Sequence, residues 1–154
     1  YFSAQLPRIR WQPTDTPAAL PDLAARIDAE GPDNCAPPLA LSVCDAEWPG
    51  EEYDAVFTAN TLHIISAAEV ECLFAGVGRV LAPGGRLLIY GPFRYAGEYT
   101  APSNAAFDRA LRARDPDSGI RDFEALQRLA EQQGLILIED YAMPANNQLL
   151  VWRR

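Results

Sequence analysis

The chain has 154 residues, 49% of them apolar, and a formal net charge of −8, which predicts a single domain over residues 1–154 with a sizeable core. The acidic balance excludes a broad nucleic-acid surface, because such surfaces neutralise phosphates with clustered Lys and Arg, and no apolar run of about 18 residues predicts a membrane span. There is no lysine, which excludes a Walker phosphate loop and a Schiff-base lysine within these residues.

Cys35, Cys44 and Cys72 are odd in number and widely spaced, and His63 is the only histidine. A structural zinc site needs about four such ligands, so no metal is expected, and the cysteines read as free buried thiols in a reducing cytoplasm. The first residue is Tyr1 and no charged-then-apolar leader follows. A cytoplasmic location without a signal peptide is therefore expected.

In chain order, Ile9 and Trp11 alternate with Arg8, Arg10 and Gln12 as a short strand ending in Pro13-Thr14-Asp15. Thr16-Pro17 reads as a helix start, followed by Leu20, Leu23, Ala24 and Ile27 at helical spacing and a stop at Gly31-Pro32. Leu39 to Val43 is a second strand, ending at Cys44-Asp45. Tyr53 to Ala59 is a third, rich in β-favouring residues. Ser66 and Glu69 form a capping box. The helix it opens carries Val70, Leu73, Phe74, Val77, Val80 and Leu81 on one face. Pro83-Gly84-Gly85 ends that helix, and Arg86 to Tyr90 is a fourth strand. Gly91 to Thr100 reads as a loop rich in aromatics. A helix is predicted over 104–114, with Phe107, Ala110 and Leu111 inward, and another over 123–133, with Asp122 as N-cap and Gly134 as C-cap. Leu135 to Met143 and Gln148 to Trp152 read as a terminal antiparallel hairpin around Pro144-Ala145-Asn146-Asn147.

Strands alternating with helices predict an α/β fold: a mostly parallel, Rossmann-like sheet with helices on both faces. Ligands of such sheets sit beyond the carboxyl ends of the strands, where Asp15, Asp45 and Asn60 each follow a predicted strand. The Asp15 carboxylate suits a ribose diol, and Asp45 suits an adenine exocyclic amine. Both are equally ordinary turn residues. His63 has the reference pKa of a general base, against the plainer reading of a histidine packed between Leu62 and Ile64. Tyr90 is a second candidate for moving a proton. Phe93 and Tyr95 belong to an aromatic segment placed to roof a small-molecule pocket, with Ser103, Asn104 and Arg121 as polar groups near its rim.

Several segments carry a resemblance that runs almost end to end. They are Trp11-Gln12-Pro13-Thr14-Asp15, Asp54-Ala55-Val56-Phe57, Leu81-x-Pro83-Gly84-Gly85, Tyr90-Gly91-Pro92-Phe93, Pro102-Ser103-Asn104-x-x-Phe107-Asp108 and Met143-Pro144-Ala145-Asn146-Asn147. The P-G-G turn is a general methyltransferase signal; the last two segments are more specific. Together they resemble the family labelled domain of unknown function 938, the methyltransferase-like 26 group. The resemblance implies a class I methyltransferase fold and S-adenosylmethionine as cofactor. Asp15 would lie on its ribose, Asp45 on its adenine side and Asn60 beside its sulfonium. A small molecule is the expected substrate, and nucleic acid and membrane are not expected partners. The family's first strand and its G-x-G-x-G loop are not in this sequence, and the expectation is that residues upstream of Tyr1 supply them. Two rival readings are a non-catalytic binding protein of the same fold and a nicotinamide-dependent oxidoreductase. The second is disfavoured by the terminal hairpin, the P-G-G turn and the lack of lysine.

Overall fold

The computed structural model describes residues 1–50 and 52–154. They form two compact units, Tyr1–Ala46 and Glu47–Arg154.

In the first unit, helix α1 (Phe2–Gln5) is followed by an extended segment from Trp11 to strand β1 (Thr14–Asp15). Trp11 bridges Cys35 in parallel, and β1 pairs in parallel with β2 (Leu39–Ala40). The second predicted strand is thus present but short, whereas the first is displaced: Arg8 to Gln12 pair only at Trp11, and the strand proper is Thr14–Asp15, which the sequence reads as its end. Helix α2 (Leu20–Glu30) connects them. It starts later than Thr16-Pro17 suggested, because Thr16 O accepts from Ala19 and Leu20 N–H and closes a turn first. Gly31 caps its end as expected. The Asn34 amide ties the N-terminal segment down by donating to the carbonyls of Ser3 and Ile9.

The second unit is built on β3 (Tyr53–Ala59), β4 (Leu81–Gly91), β8 (Ile136–Met143) and β9 (Asn147–Arg153), in the order β3-β4-β9-β8. β3 and β4 are parallel, whereas β9 is antiparallel to both β4 and β8. The terminal hairpin is as predicted, and it makes this sheet mixed. Helix α3 (Ala67–Val80) begins with the Ser66–Glu69 capping box, both halves formed. Its buried face is the one the spacing predicted, from Val70 to Val80. Helix α5 (Phe123–Gln132) lies beside it and ends at Gly134 with φ +71, the left-handed position that favours glycine. Phe74 of α3 meets Trp152 edge-on at 6.0 Å, and Gln127 of α5 accepts from the Trp152 indole N–H at 2.9 Å. Leu87, Ile89, Leu150 and Trp152, all closed to solvent, are the sheet's side of this core.

The Pro83-Gly84-Gly85 segment does not end α3, which already stops at Val80, but bulges from β4, since Tyr53 pairs with Leu81 and Ala55 already with Arg86. Glycine is required there twice. Gly84 has φ +82, and a Cβ on Gly85 would lie 2.8 Å from Ala82 O and 3.0 Å from Asp54 O.

Three further expectations are corrected. Residues 91–100 are not an irregular loop: β5 (Phe93–Tyr95) and β6 (Glu98–Tyr99) form a hairpin closed by Ala96 (φ +49) and Gly97 (φ +80). A short strand, β7 (Arg121–Asp122), pairs in parallel with β5. In helix α4 (Pro102–Arg114) the buried residues are Asn104, Asp108 and Leu111, while Phe107 and Ala110 are exposed. The side chain turned inward is a carboxylate, because Tyr99, Arg112 and the Ile120 N–H all donate to Asp108. Cys35 is a free thiol; Cys44 and Cys72 are not free, which corrects the expectation of three. No helix among the described residues is long and apolar enough to cross a membrane.

Candidate functional site

A cleft of about 370 Å³ opens beyond the C-terminal ends of β3 and β4, lined by Asn60, His63, Pro92, Ser103, Asn104, Phe107, Ala145 and Asn147. Four residues chosen from the sequence, Asn60, His63, Ser103 and Asn104, meet here. Asn60 leaves β3 in the left-handed region (φ +57), with its N–H on Tyr90 O at 2.8 Å. Asparagine tolerates that backbone better than most residues.

His63 is 5% exposed and meets the Phe107 ring edge-on at 5.4 Å. Burial, and then the positive charge of Arg121, hold its pKa below the ordinary histidine value. The ring is therefore neutral near pH 7, the form that accepts a proton.

The loop carrying His63 is held by its carbonyls. Arg121 Nε donates to Leu62 O at 2.9 Å, Gly119 N to His63 O at 3.0 Å, Ser118 Oγ to Ile64 O at 2.6 Å, and Arg121 Nη2 to Ile65 O. Four consecutive carbonyls are thus satisfied by the segment 118–121. Buried backbone acceptors need such partners, and here the requirement fixes the direction of the His63 side chain.

The opposite wall joins the two most specific sequence motifs. Asn104 donates to Thr100 Oγ1 at 2.9 Å and to Asn146 O at 3.0 Å, while Asn146 Nδ2 donates to Ser103 Oγ at 3.1 Å. The turn between β8 and β9 is strained, with Ala145 and Asn146 both at φ +60. Asn147 donates to the Tyr90 hydroxyl at 3.0 Å, so Tyr90 is tied to the same turn.

The remaining candidates lie elsewhere. Phe93 is closed to solvent in the core. Tyr95 stacks on Phe123 at 5.3 Å and donates to Asp140 Oδ2 at 2.8 Å; burial and that carboxylate push its pKa up. Asp15 and Asp45 belong to the first unit and are exposed. Asp15 Oδ1 accepts from Thr16 N–H at 2.7 Å, and Asp45 Oδ2 from Ser42 N–H at 2.8 Å. Pro92 belongs to the segment that the sequence places as a roof over a pocket, whereas sequence reasoning does not select Phe107, Ala145 or Asn147 for the cleft. The P-S-N-x-x-F-D and M-P-A-N-N motifs were the signal that could have led to Phe107 and Asn147.

The profile of the family described as "Protein of unknown function (DUF938)" matches residues 1–154. The chain belongs to this family. Among solved structures, an O-methyltransferase family protein from Burkholderia thailandensis superposes with a TM-score of 0.85 at 19% identity, over 99% of this chain and 46% of that one. An O-methyltransferase family 2 protein from Planctomyces limnophilus, solved with apigenin, gives a TM-score of 0.82 at 20% identity, over 99% and 45%. Human N-acetylserotonin methyltransferase, solved with S-adenosylmethionine, gives 0.81 at 13% identity, over 99% and 42%. The DUF938 chain therefore has the class I methyltransferase-like α/β fold and spans a little under half the length of these proteins.

Proposed function

We propose that the protein is an S-adenosylmethionine-dependent methyltransferase of the methyltransferase-like 26 group, acting on a small molecule. The observation that carries the reading is the cleft beyond β3 and β4, where Asn60, a neutral buried His63 and Asn104 converge in a methyltransferase-like fold. The donor set fits the cofactor's chemistry. A ribose diol and an adenine amine are hydrogen-bond donors, and Asp15 and Asp45 offer exposed carboxylates at or beyond the ends of β1 and β2.

When bound, S-adenosylmethionine supplies an electrophilic methyl group on a sulfonium. In this reading Asp15 holds the ribose, Asp45 the adenine edge, and Asn60 contacts the cofactor's methionine side. His63 takes the proton that an acceptor hydroxyl or amine loses on methylation and passes it to solvent. Phe107 and Pro92 form an apolar wall, while Ser103 and Asn104 orient polar groups of the acceptor. The test is calorimetry on the full-length protein. Asp15→Ala should weaken S-adenosylhomocysteine binding by about tenfold, the worth of one charge-assisted contact, whereas His63→Gln should leave it unchanged. Equal affinity in Asp15→Ala would remove the ribose assignment.

A further inference from the structure

A second cleft, of about 410 Å³, lies between α3, α5 and β7, apart from the one that holds His63. Four arginines line it, Arg94, Arg112, Arg121 and Arg128, in a chain of net charge −8. Concentrating four guanidiniums in one concavity of an acidic protein costs mutual repulsion unless something offsets it.

The internal offsets are incomplete. Arg94 pairs with Asp122 at 2.7 Å and sits over the Tyr99 ring at 5.5 Å. Arg112 Nε pairs with Asp108 at 2.9 Å. Among the described residues, Arg121 is hydrogen-bonded to the neutral carbonyls of Leu62, Ile65 and Asp117 and to no carboxylate. Arg128 makes no hydrogen bond or ion pair among the described residues, and Glu71, the remaining carboxylate on the wall, pairs with none of the four. Among the described residues, two guanidiniums thus have no direct ion pair with a carboxylate. Burial, together with the charges of Arg112 and Arg94, outweighs the opposing pull of the Asp108 and Asp117 carboxylates and holds the Arg121 pKa below the ordinary arginine value. Val70, Leu126 and Leu129 supply an apolar wall to the same cleft.

We propose that this cleft binds a small dianion with an apolar body, of the phosphate-monoester class, between Arg121, Arg128 and the terminal nitrogens of Arg112. Two guanidiniums without a direct ion pair match two negative charges, and their planar forks match phosphate oxygens. The apolar wall takes the ester group. This site does not depend on the methyltransferase reading. Arg121 links it to the other cleft, because the same guanidinium grips the carbonyls on either side of His63.

The test is an amide-resolved NMR titration of the full-length protein with phenyl phosphate, inorganic phosphate and benzoate at matched ionic strength. Phenyl phosphate should give saturable shifts at Val70, Ile120 to Asp122, and Leu126 to Leu129. Inorganic phosphate should bind more weakly for want of apolar contact, and benzoate by about tenfold for want of the second charge. Arg128 is exposed and unbonded, so Arg128→Gln should fold normally and weaken phenyl phosphate by about fivefold to tenfold. Ser103→Ala, in the other cleft, should not change it. Shifts centred on Asn60 and His63, equal affinity for benzoate, an unaffected Arg128→Gln, or no saturation in the millimolar range would each overturn the proposal.

Discussion

Replacing Arg121 by alanine should loosen the loop that carries His63. The guanidinium donates to the carbonyls of Leu62, Ile65 and Asp117. Hydrogen bonds from a charged donor are worth about 1.5–3 kcal/mol each. The sum is offset by the cost of burying a guanidinium that makes no ion pair among the described residues, and burial is the largest cause of its lowered pKa. A net loss of about 2–3 kcal/mol is expected. With a urea m-value of about 1.5 kcal/mol/M, the midpoint should fall by about 1–2 M. Fluorescence of Trp152, buried against Phe74, reports the transition. A second readout separates this grip from general destabilisation. His63 is the only histidine, so its ring signal in NMR is unambiguous. Removing the Arg121 charge and opening the loop should bring its pKa back up toward the ordinary value near 6.5. Arg121→Lys keeps the charge but not the fork, and should fall between the two. A midpoint shift below about 0.3 M with an unmoved His63 titration would refute the reasoning.

His63 itself predicts a pH effect: its folded pKa is depressed, so the unfolded chain binds the proton more readily. Stability is then complete above about 6.5 and is lost as pH falls through the window between that value and the lowered one; denaturant midpoints at pH 7.5 and 5.5 should diverge in the wild type and less so in His63→Gln. Burial raises the Asp108 pKa, but hydrogen bonds from Arg112, Ile120 and Tyr99, with the Arg112 charge, outweigh it and hold the carboxyl below the usual aspartate value. Asp108→Asn turns an acceptor of three donors into a group that is itself half donor, and should cost about 2–4 kcal/mol by denaturant titration. Gly76→Ala would set a Cβ 2.1 Å from the Trp48 indole. The displaced ring should show as a red-shifted tryptophan emission and about 1–3 kcal/mol of lost stability. An unchanged spectrum would mean that the helix moves instead.

Legibility in the sequence followed the range of the interactions. The Ser66–Glu69 box, the buried face of α3, strand β3 and the Gly134 stop are written within a few residues, and each was predicted near its observed place. The β5–β6 hairpin was not, because alanine rather than asparagine or glycine occupies the first left-handed turn position, Ala96. In α4 the rule that an aromatic side chain faces inward chose Phe107. The structure buries Asp108, whose donors lie as far away as Ile120, and leaves Phe107 for the cleft. The clamp on residues 62–65 is a contact between segments more than fifty residues apart, and nothing local to either segment announces it. The Asn104–Asn146 contact also spans forty-two positions, yet both partners were singled out, because they sit in the two motifs that carried the family resemblance.

The central claim is tested most directly by titrating S-adenosylhomocysteine into the full-length protein by calorimetry, with NAD as the control ligand. Saturable one-site binding of S-adenosylhomocysteine, weakened by Asp15→Ala and absent for NAD, is the predicted result. No binding of S-adenosylhomocysteine, or binding of NAD in its place, would contradict the methyltransferase reading.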